Sequence, residues 1–510
     1  LKPVWFKPFG SFSPVVLGQH SHSQFGHFCP NNHLPQKMSA AVLNVLGRQL
    51  RGAVPRGCRS AMTQTLAEPM AWNQTPAVVT TLPNGVRIAT KETFGEVASV
   101  GVFLNAGTRD ETKETAGAVH LIEQLALTGT AKRPKAKLES EVESLGATLS
   151  MSSGREQSSY TMSVMKGDLK QGVEILADLV TSPGLSNLAK EKEGILRKLE
   201  EREVPTRQVI DDRLHACAFR DYPLGFSTVG PYDNIGLLTE AHLKSYVDVN
   251  YTAENMVIAA SGPLKHEELV KLVSASFGSI KAGAPKSGTG KPYFCGAELL
   301  YRNDEMGPTA YIAVGWEGVP WRSPDAVTFM VMQHVIGSYK KNSGLVPGNI
   351  SGNRVINNVA NKMAVGCADS FEAFSYFYKD TGMFGFYIEC DEVAVEHAVG
   401  ELMFGMNLLS FSVTDEEIER AKRELKSALF SQPTSAEASC AELGKQVLAY
   451  GRGIPPAEMM LRIEGVDAEE VKRVAWKYLN DNEISATALG PLHGFPQYYD
   501  LRRATVMHRY

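Results

Sequence analysis

The chain has 510 residues, enough for two or more domains with separate hydrophobic cores. Its hydrophobic fraction of 43% and charged fraction of 21% are ordinary for a globular protein. Residues 1–67 carry seven Lys and Arg but no acid, which leaves 45 basic against 56 acidic residues in the rest. This acidic body argues against nucleic acid as a partner, because binding phosphates requires clustered basic side chains. No apolar run approaches the ~18–20 residues of a membrane span, so membrane association is expected only through partners.

The first 67 residues are expected to lie outside the folded body. Residues 1–37 show no periodicity and are left unassigned, with an untranslated leader as one interpretation, because Met38 is a plausible start. Residues 38–67 are Arg-rich, free of acid and apolar at helical spacing, which is the composition of a mitochondrial transit peptide. A disordered basic tail is the alternative. The seven scattered cysteines contain no C-x-x-C pair and fit a reducing compartment.

The folded body is expected to begin near Val78 with a β-hairpin, because Asn84-Gly85 supplies a tight turn between two β-prone runs. Val97–Leu104 is predicted as a strand, and Thr148–Tyr160 and Thr161–Met165 as a strand pair. Amphipathic patterns predict helices between and after these strands. Since helices and strands alternate but hairpins also occur, we predict an α+β fold in which a mixed sheet is packed with helices.

An internal repeat divides the body. Leu238–Leu264 matches Val466–Leu492 without gaps, and both copies read as a helix, a strand and Gly-Pro-Leu. A shorter match relates the segment that begins at Ala118 to the one that begins at Ala326. The predicted organisation is therefore two homologous halves with a Gly/Pro-rich linker and a short C-terminal tail: 76–277, 278–292, 293–495 and 496–510.

Residues that carry chemistry stand together on a helix predicted within Ala116–Thr130. His120, Glu123 and Gln124 are at positions i, i+3 and i+4, so their side chains share one helical face. In the H-x-x-E-H pattern of an inverted zinc peptidase, two such His bind the metal and the Glu is the general base. Gln124 stands where the second His is needed. The corresponding positions of the second half carry no metal ligand: Thr328, Val331 and Met332.

Other polar and aromatic positions have plainer interpretations. Arg155 and Glu156 either brace the site or form a surface ion pair. His215 is expected to be structural, and the alternating aromatic residues of Phe371–Tyr378 are typical of a core strand. The Gly-rich loop at 343–352 is expected to contact either a peptide or a partner subunit.

Two such halves, an inverted zinc helix in the first only and a transit peptide together resemble the pitrilysin-type family. Within that family, the chain resembles the branch of the mitochondrial processing peptidase β subunit and core protein 1 of respiratory complex III. The resemblance runs from about Val78 to the C-terminus and rests on HLIEQLALTGT, VESLGATLSMSSGREQSSY, VEILADLV, EGILRKLEERE, FSYFYKDTGMFGFYIECD and LAYGRGIPPAE. It implies two halves that form a clamshell around a cavity.

In active relatives the resemblance implies two zinc-binding His, a catalytic Glu between them, and a third zinc-binding Glu on a later helix. His120 matches the first His and Glu123 the catalytic Glu. The later helix reads ILRKLEERE where the family pattern is ILRE, which puts Lys198 at the third ligand position. An ungapped count instead ends near Glu200 and its neighbour Glu201, which are therefore the candidate substitute ligands.

The chemistry of these positions predicts a silent zinc site. Zinc prefers imidazole, thiolate or carboxylate, and a catalytic site needs three protein ligands. The Gln124 amide is a poor donor, and the Lys198 ammonium repels a dication. Without zinc, nothing lowers the pKa of the attacking water from ~16 towards ~7. No cofactor is expected, except zinc if Glu200 or Glu201 completes the site.

The leading hypothesis is a proteolytically inactive structural subunit, similar to core protein 1, of complex III on the matrix side of the mitochondrial inner membrane. Its expected partners are a core protein 2-like or processing peptidase α-type subunit and the other complex III subunits. One alternative is an active processing peptidase β subunit that cleaves presequences. A second is a module that binds presequence peptides without cleaving them. The acidic body suits basic presequences, so its charge does not discriminate between these functions.

Overall fold

The computed structural model describes residues 76–200, 207–283, 290–341, 353–361, 366–431 and 435–506. The expected leader, transit peptide and Gly-rich loop lie outside the described residues, as do Glu201, residues 284–289 of the predicted linker and the last four residues. Within the described ranges, no helix is both long and apolar enough to cross a membrane.

The first half is built on a six-stranded mixed sheet. Its strands are β1 (Val78–Thr81), β2 (Arg87–Glu92), β3 (Val97–Leu104), β4 (Thr148–Ser153), β5 (Ser158–Met165) and β6 (Met256–Gly262). They lie in the order β1-β2-β6-β3-β5-β4, and only β2 and β6 pair in parallel. The helices along this part of the chain are α1 (Ala118–Ala126), α2 (Lys135–Ser144), α3 (Leu169–Thr181), α4 (Leu188–Glu200), α5 (Arg207–Ala218), α6 (Tyr232–Leu237), α7 (Glu240–Asn250) and α8 (His266–Phe277).

The second half repeats this architecture. Its strands are β7 (Ala297–Arg302), β8 (Thr309–Gly318), β9 (Ser338–Lys340), β10 (Ser370–Phe377), β11 (Gly382–Asp391) and β12 (Ile484–Gly490). They lie in the order β7-β12-β8-β11-β10-β9, and only β7 and β12 pair in parallel. Its helices are α9 (Ala326–Ile336), α10 (Arg354–Asn361), α11 (Val395–Phe411), α12 (Asp415–Ser431), α13 (Ala436–Tyr450), α14 (Pro456–Glu464), α15 (Ala468–Tyr478) and α16 (Tyr498–Arg503).

The repeat read from the sequence is confirmed at the level of single elements. The bounds of α7 and β6 coincide with those of α15 and β12 under one shift along the chain, and α1 and α9 begin at equivalent residues. The α+β fold of two homologous halves with mixed sheets is therefore correct. The domain boundaries at 277 and 293 stay a prediction.

The first hairpin is as predicted, and one strand boundary is not. β1 and β2 pair antiparallel, and Gly85 in the turn has a φ of 99°, a left-handed conformation that glycine adopts without strain. The predicted division of the next strand pair between Tyr160 and Thr161 is wrong. The turn lies earlier, where the Gly154 amide donates to the Gln157 carbonyl at 2.8 Å, because Gly154–Gln157 is polar and the run from Ser158 is β-prone.

The two halves exchange a helix. α13 of the second half packs on the first sheet, where its Cys440 thiol donates to the Ala259 carbonyl at 3.2 Å. α5 of the first half packs on the second sheet, where Ile210 and Leu214 belong to the same buried cluster as Met383 and Tyr387. Each sheet thus has one face covered by its own helices and the other by a helix of the opposite half.

This exchange explains why β6 is buried throughout. Met256, Ile258 and Ala260 point into the core beneath α3 and α8, whereas Val257 and Ala259 point towards α13. Alternate residues of a strand face opposite sides of its sheet, so a strand that is covered on both sides is buried at every position. Each half therefore has a core of its own, and the two halves share the apolar clusters beneath the exchanged helices.

Candidate functional site

The candidate residues lie on the polar side of α1. Leu121, Ile122 and Leu125 of this helix are buried at 0–1% exposure, whereas His120, Glu123 and Gln124 are half-buried. The helix contacts β4 and α4. The predicted common face of the three polar residues is therefore present, and it is turned towards the edge of the first sheet.

A buried carboxylate holds the beginning of α1. Glu111 is 3% exposed and accepts hydrogen bonds from the amides of Gly117 at 3.0 Å and Val119 at 2.8 Å. These amides belong to the first turn, whose N–H groups have no partner within the helix. Burial raises the pKa of Glu111 to about 7, although the amide hydrogen bonds oppose the shift. Glu111 thus fixes the position of the helix that carries the candidate residues.

Glu123 is held by the end of the neighbouring strand. The Ser153 hydroxyl, at the last residue of β4, donates to Oε2 of Glu123. Burial raises the pKa of Glu123, while hydrogen bonds from the Ser153 hydroxyl and backbone lower it. The Glu123 carboxyl is therefore a positioned, partly desolvated acid–base group.

A cavity of about 510 Å³ opens beside α1. Gln124 and Lys198 both line it, from α1 and α4 respectively, so the structure brings these two predicted positions together. Glu191 lines it as well, two turns before Lys198 on the same face of α4. The rest of the lining mixes apolar with polar and charged residues: Leu127, Thr128, Lys135, Leu138, Glu139, Val142, Glu143, Leu149, Gly194 and Ile195. The first half alone provides this cavity.

Glu200 has a different environment. Its side chain is exposed and accepts a hydrogen bond from the Tyr232 hydroxyl at 2.9 Å, on the side of α4 that contacts α6. The other candidate substitute ligand, Glu201, lies outside the described residues. Among the candidate third ligands that the structure describes, Lys198 is the one that shares the cavity with Gln124.

The two predicted ligand positions at the cavity do not fit zinc. Position 124 offers a neutral amide and position 198 an ammonium, whereas zinc sites use imidazole, thiolate and carboxylate. Across the described ranges, no group of three or more His, Cys, Asp or Glu side chains is arranged to hold a metal ion. In the second half, the positions equivalent to the candidate residues are core residues: Thr328 is 3% exposed, and Val331 and Met332 are 0% exposed.

Comparison with known proteins identifies the family. A family model described as Insulinase (Peptidase family M16) matches residues 87–232. A second model, described as Peptidase M16 inactive domain, matches residues 238–425. The chain belongs to peptidase family M16. The degenerate motif lies within the first match. The second match begins inside the first half, so it includes α7, β6 and α8 as well as much of the second half.

The relatives of this M16 chain bear two kinds of name. It is 37% identical over 440 residues to an Arabidopsis thaliana protein named probable mitochondrial-processing peptidase subunit beta, covering 85% of this chain and 82% of the relative. It is 35% identical over 429 residues to human cytochrome b-c1 complex subunit 1, covering 83% and 88%. A chain of complex III2 from Candida albicans has the same fold, with a TM-score of 0.75 at 23% identity over 84% of this chain and 100% of the other.

The loops near the M16 helix are fixed by buried charges. Arg155 is 8% exposed, donates to the Asp212 carboxylate at 2.7 Å and also binds the carbonyls of Leu224 and Phe226. The surface ion pair considered for Arg155 and Glu156 is therefore wrong, because both are largely buried and each binds elsewhere.

His215 and the aromatic strand are structural, as predicted. His215 is 2% exposed and hydrogen-bonds through Nε2 to the Tyr378 hydroxyl at 2.6 Å and through Nδ1 to the Asp211 carbonyl at 2.6 Å. Burial holds the pKa of His215 well below its usual value. The ring therefore stays neutral and links α5 to the second sheet.

Sequence reasoning missed three residues of the site: Glu111, Ser153 and Glu191. Glu191 had a usable signal, since it lies seven residues before Lys198 and so shares its helical face. Glu111 and Ser153 lie in a loop and at a strand end, where no periodicity predicts their contacts with α1.

Proposed function

We propose that this M16 chain is a structural subunit of mitochondrial respiratory complex III, similar to core protein 1, that has lost peptidase activity. Its role would be to provide a rigid scaffold and interfaces for other subunits. The helix exchange supports this role, because each half needs the other to cover its sheet.

The proposal depends on one observation: Gln124 and Lys198, which stand at two ligand positions of the family, line the same cavity. One missing ligand weakens a zinc site, whereas a lysine at a second ligand position adds a positive charge that opposes the metal. Glu123 keeps its hydrogen bond to Ser153, but a general base without an activated water does not hydrolyse a peptide bond at a useful rate.

Partners and location follow from the relatives. The relatives named above are mitochondrial by name, and one is a subunit of the cytochrome b-c1 complex. We therefore infer a mitochondrial location, on the matrix side of the inner membrane, with contact to the membrane only through other subunits. The inferred partners are a core protein 2-like or processing peptidase α-type subunit and further subunits of complex III.

The second candidate is an active β subunit of the processing peptidase, which the names of several relatives favour. For this function, either Glu201 or Glu200 would have to complete the set of zinc ligands. Glu200 could do so only by giving up its hydrogen bond from Tyr232. A third candidate is a module that binds presequences without cleaving them, using the cavity beside α1.

The deciding experiment measures bound zinc and cleavage of a presequence peptide on the chain paired with its α-type partner. The unmutated pair is expected to bind no zinc and to cleave nothing. The double variant Gln124→His, Lys198→Glu is expected to gain one zinc per chain, because it restores two ligands beside His120.

Two controls make the result specific. Gln124→His alone should bind zinc much more weakly than the double variant, since Lys198 still opposes the ion. Adding Glu123→Gln to the double variant should keep the zinc and remove any cleavage that was gained. One zinc per chain and chelator-sensitive cleavage in the unmutated pair would contradict the proposal and support the peptidase. Binding of the peptide without zinc or cleavage would support the third candidate.

A further inference from the structure

A turn of the second half reaches the loops beside α1. The turn joins β10 to β11. Its Asp380 carboxylate accepts hydrogen bonds from both terminal nitrogens of the Arg109 guanidinium, at 2.8 and 2.5 Å. The same guanidinium donates to Glu156 at 2.5 Å. The adjacent Lys379 amide donates to both oxygens of Glu156, at 3.2 and 3.0 Å. We call Arg109, Glu156, Lys379 and Asp380 the Asp380 strap.

The strap is shielded from water. The side chains of Arg109 and Glu156 are 11% and 14% exposed, and that of Asp380 is 25% exposed. A two-pronged arginine–carboxylate pair is directional as well as attractive, and it is stronger when it is partly desolvated. Arg109 therefore holds the turn in one orientation relative to the first half.

Arg109 is also tied to both structural elements around Glu123. Its amide donates to the Arg155 carbonyl at 2.9 Å, in the turn that follows Ser153 and β4. Only Asp110 separates it from Glu111, whose carboxylate holds the first turn of α1. One contact chain thus runs from Asp380 through Arg109 to α1, and another through Glu156 to the end of β4.

We propose that the Asp380 strap is a positioning device, through which the second half fixes α1 and the end of β4 relative to each other. Arg109 and Glu156 are the positioning residues of the first half. This proposal concerns only the orientation of α1. It is independent of whether the site cleaves peptides, so it does not rest on the proposed function.

Hydrogen exchange of the intact chain tests the strap, with Asp380→Asn as the perturbation. This substitution keeps the size of the side chain but removes the charge that pairs with Arg109. Amides of α1 and of residues 154–158 are expected to exchange at least tenfold faster, while the melting temperature of the whole chain changes little. The matched control is Asp304→Asn, because Asp304 pairs with Arg302 at 3.0 Å on an exposed surface of the same half.

A second substitution tests the route through Arg109. In an Arg109→Met chain, adding Asp380→Asn should produce almost no further increase in exchange at α1. If Arg109→Met does not fold, Arg109→Lys removes the two-pronged geometry and retains the charge. Unchanged exchange at α1 in Asp380→Asn, an equal increase in all elements, or a full effect of Asp380→Asn without Arg109 would each overturn the proposal.

Discussion

The exchanged helix α13 can be tested at Gly444, where it touches the first sheet. A β-carbon at this position would lie 2.3 Å from Cδ2 and Cε2 of Phe103 and 2.5 Å from Cγ. Non-bonded carbons prefer ~3.5–4.0 Å, so α13 or the Phe103 ring would have to move by roughly 1.2 Å or more. Phe103 is 1% exposed between the sheet and the helix, so its ring has little room. Gly444→Ala should therefore push the two halves apart.

The expected loss is about 2 kcal/mol. Overpacking a core costs ~1–3 kcal/mol, and this contact with three atoms of a confined ring belongs at the upper end. The better helix propensity of alanine offsets ~1 kcal/mol of that cost. At roughly 1 °C per kcal/mol for a folded body of more than 400 residues, the melting temperature measured by calorimetry should fall by about 2 °C.

The control is Gly400→Ala in α11, where a β-carbon meets nothing within 4 Å. This variant should be as stable as the unmutated chain, or more stable by up to ~1 kcal/mol. In a Phe103→Ala background, Gly444→Ala should no longer destabilise, because its methyl group fills vacated space. The reasoning is refuted if Gly444→Ala and Gly400→Ala behave alike, or if the loss at Gly444 persists without the Phe103 ring.

Two further predictions concern buried charges of the first half. The pKa of Glu111, about 7 in the folded chain against 4.5 unfolded, means that the folded state holds its proton to higher pH. Its contribution to the free energy of unfolding should therefore fall as the pH rises from 4.5 to 7, by at most about 3 kcal/mol. Denaturation at pH 5 and pH 8 should show this loss in the unmutated chain but not in Glu111→Gln. An identical pH dependence of the two chains would contradict this. Arg155→Met should destabilise by roughly 3–5 kcal/mol in urea denaturation, because it leaves Asp212 without its cation. Arg155→Lys should lose less, and a loss below ~1 kcal/mol in Arg155→Met would show that the pair contributes little.

Local sequence patterns determined the elements and the residues of the motif. The Asn84-Gly85 turn and the apolar face of α1 each depend on neighbours within a few residues, where spacing dictates geometry. The repeat of α7 and β6 is visible because the two copies keep the same local pattern. The absence of the second His is likewise a property of one position, Gln124, and needs no tertiary information.

Only the tertiary structure decided which distant residues meet. The packing of α4 against α1 places Lys198 at the cavity with Gln124 and places Glu200 beside Tyr232. The sequence alone left open which of Lys198 and Glu200 occupies the third ligand position, because the answer depended on one alignment gap. The exchange of α5 and α13 and the Asp380 strap join segments up to hundreds of residues apart. No periodicity within one segment encodes such contacts, because they depend on how whole elements pack on the opposite half.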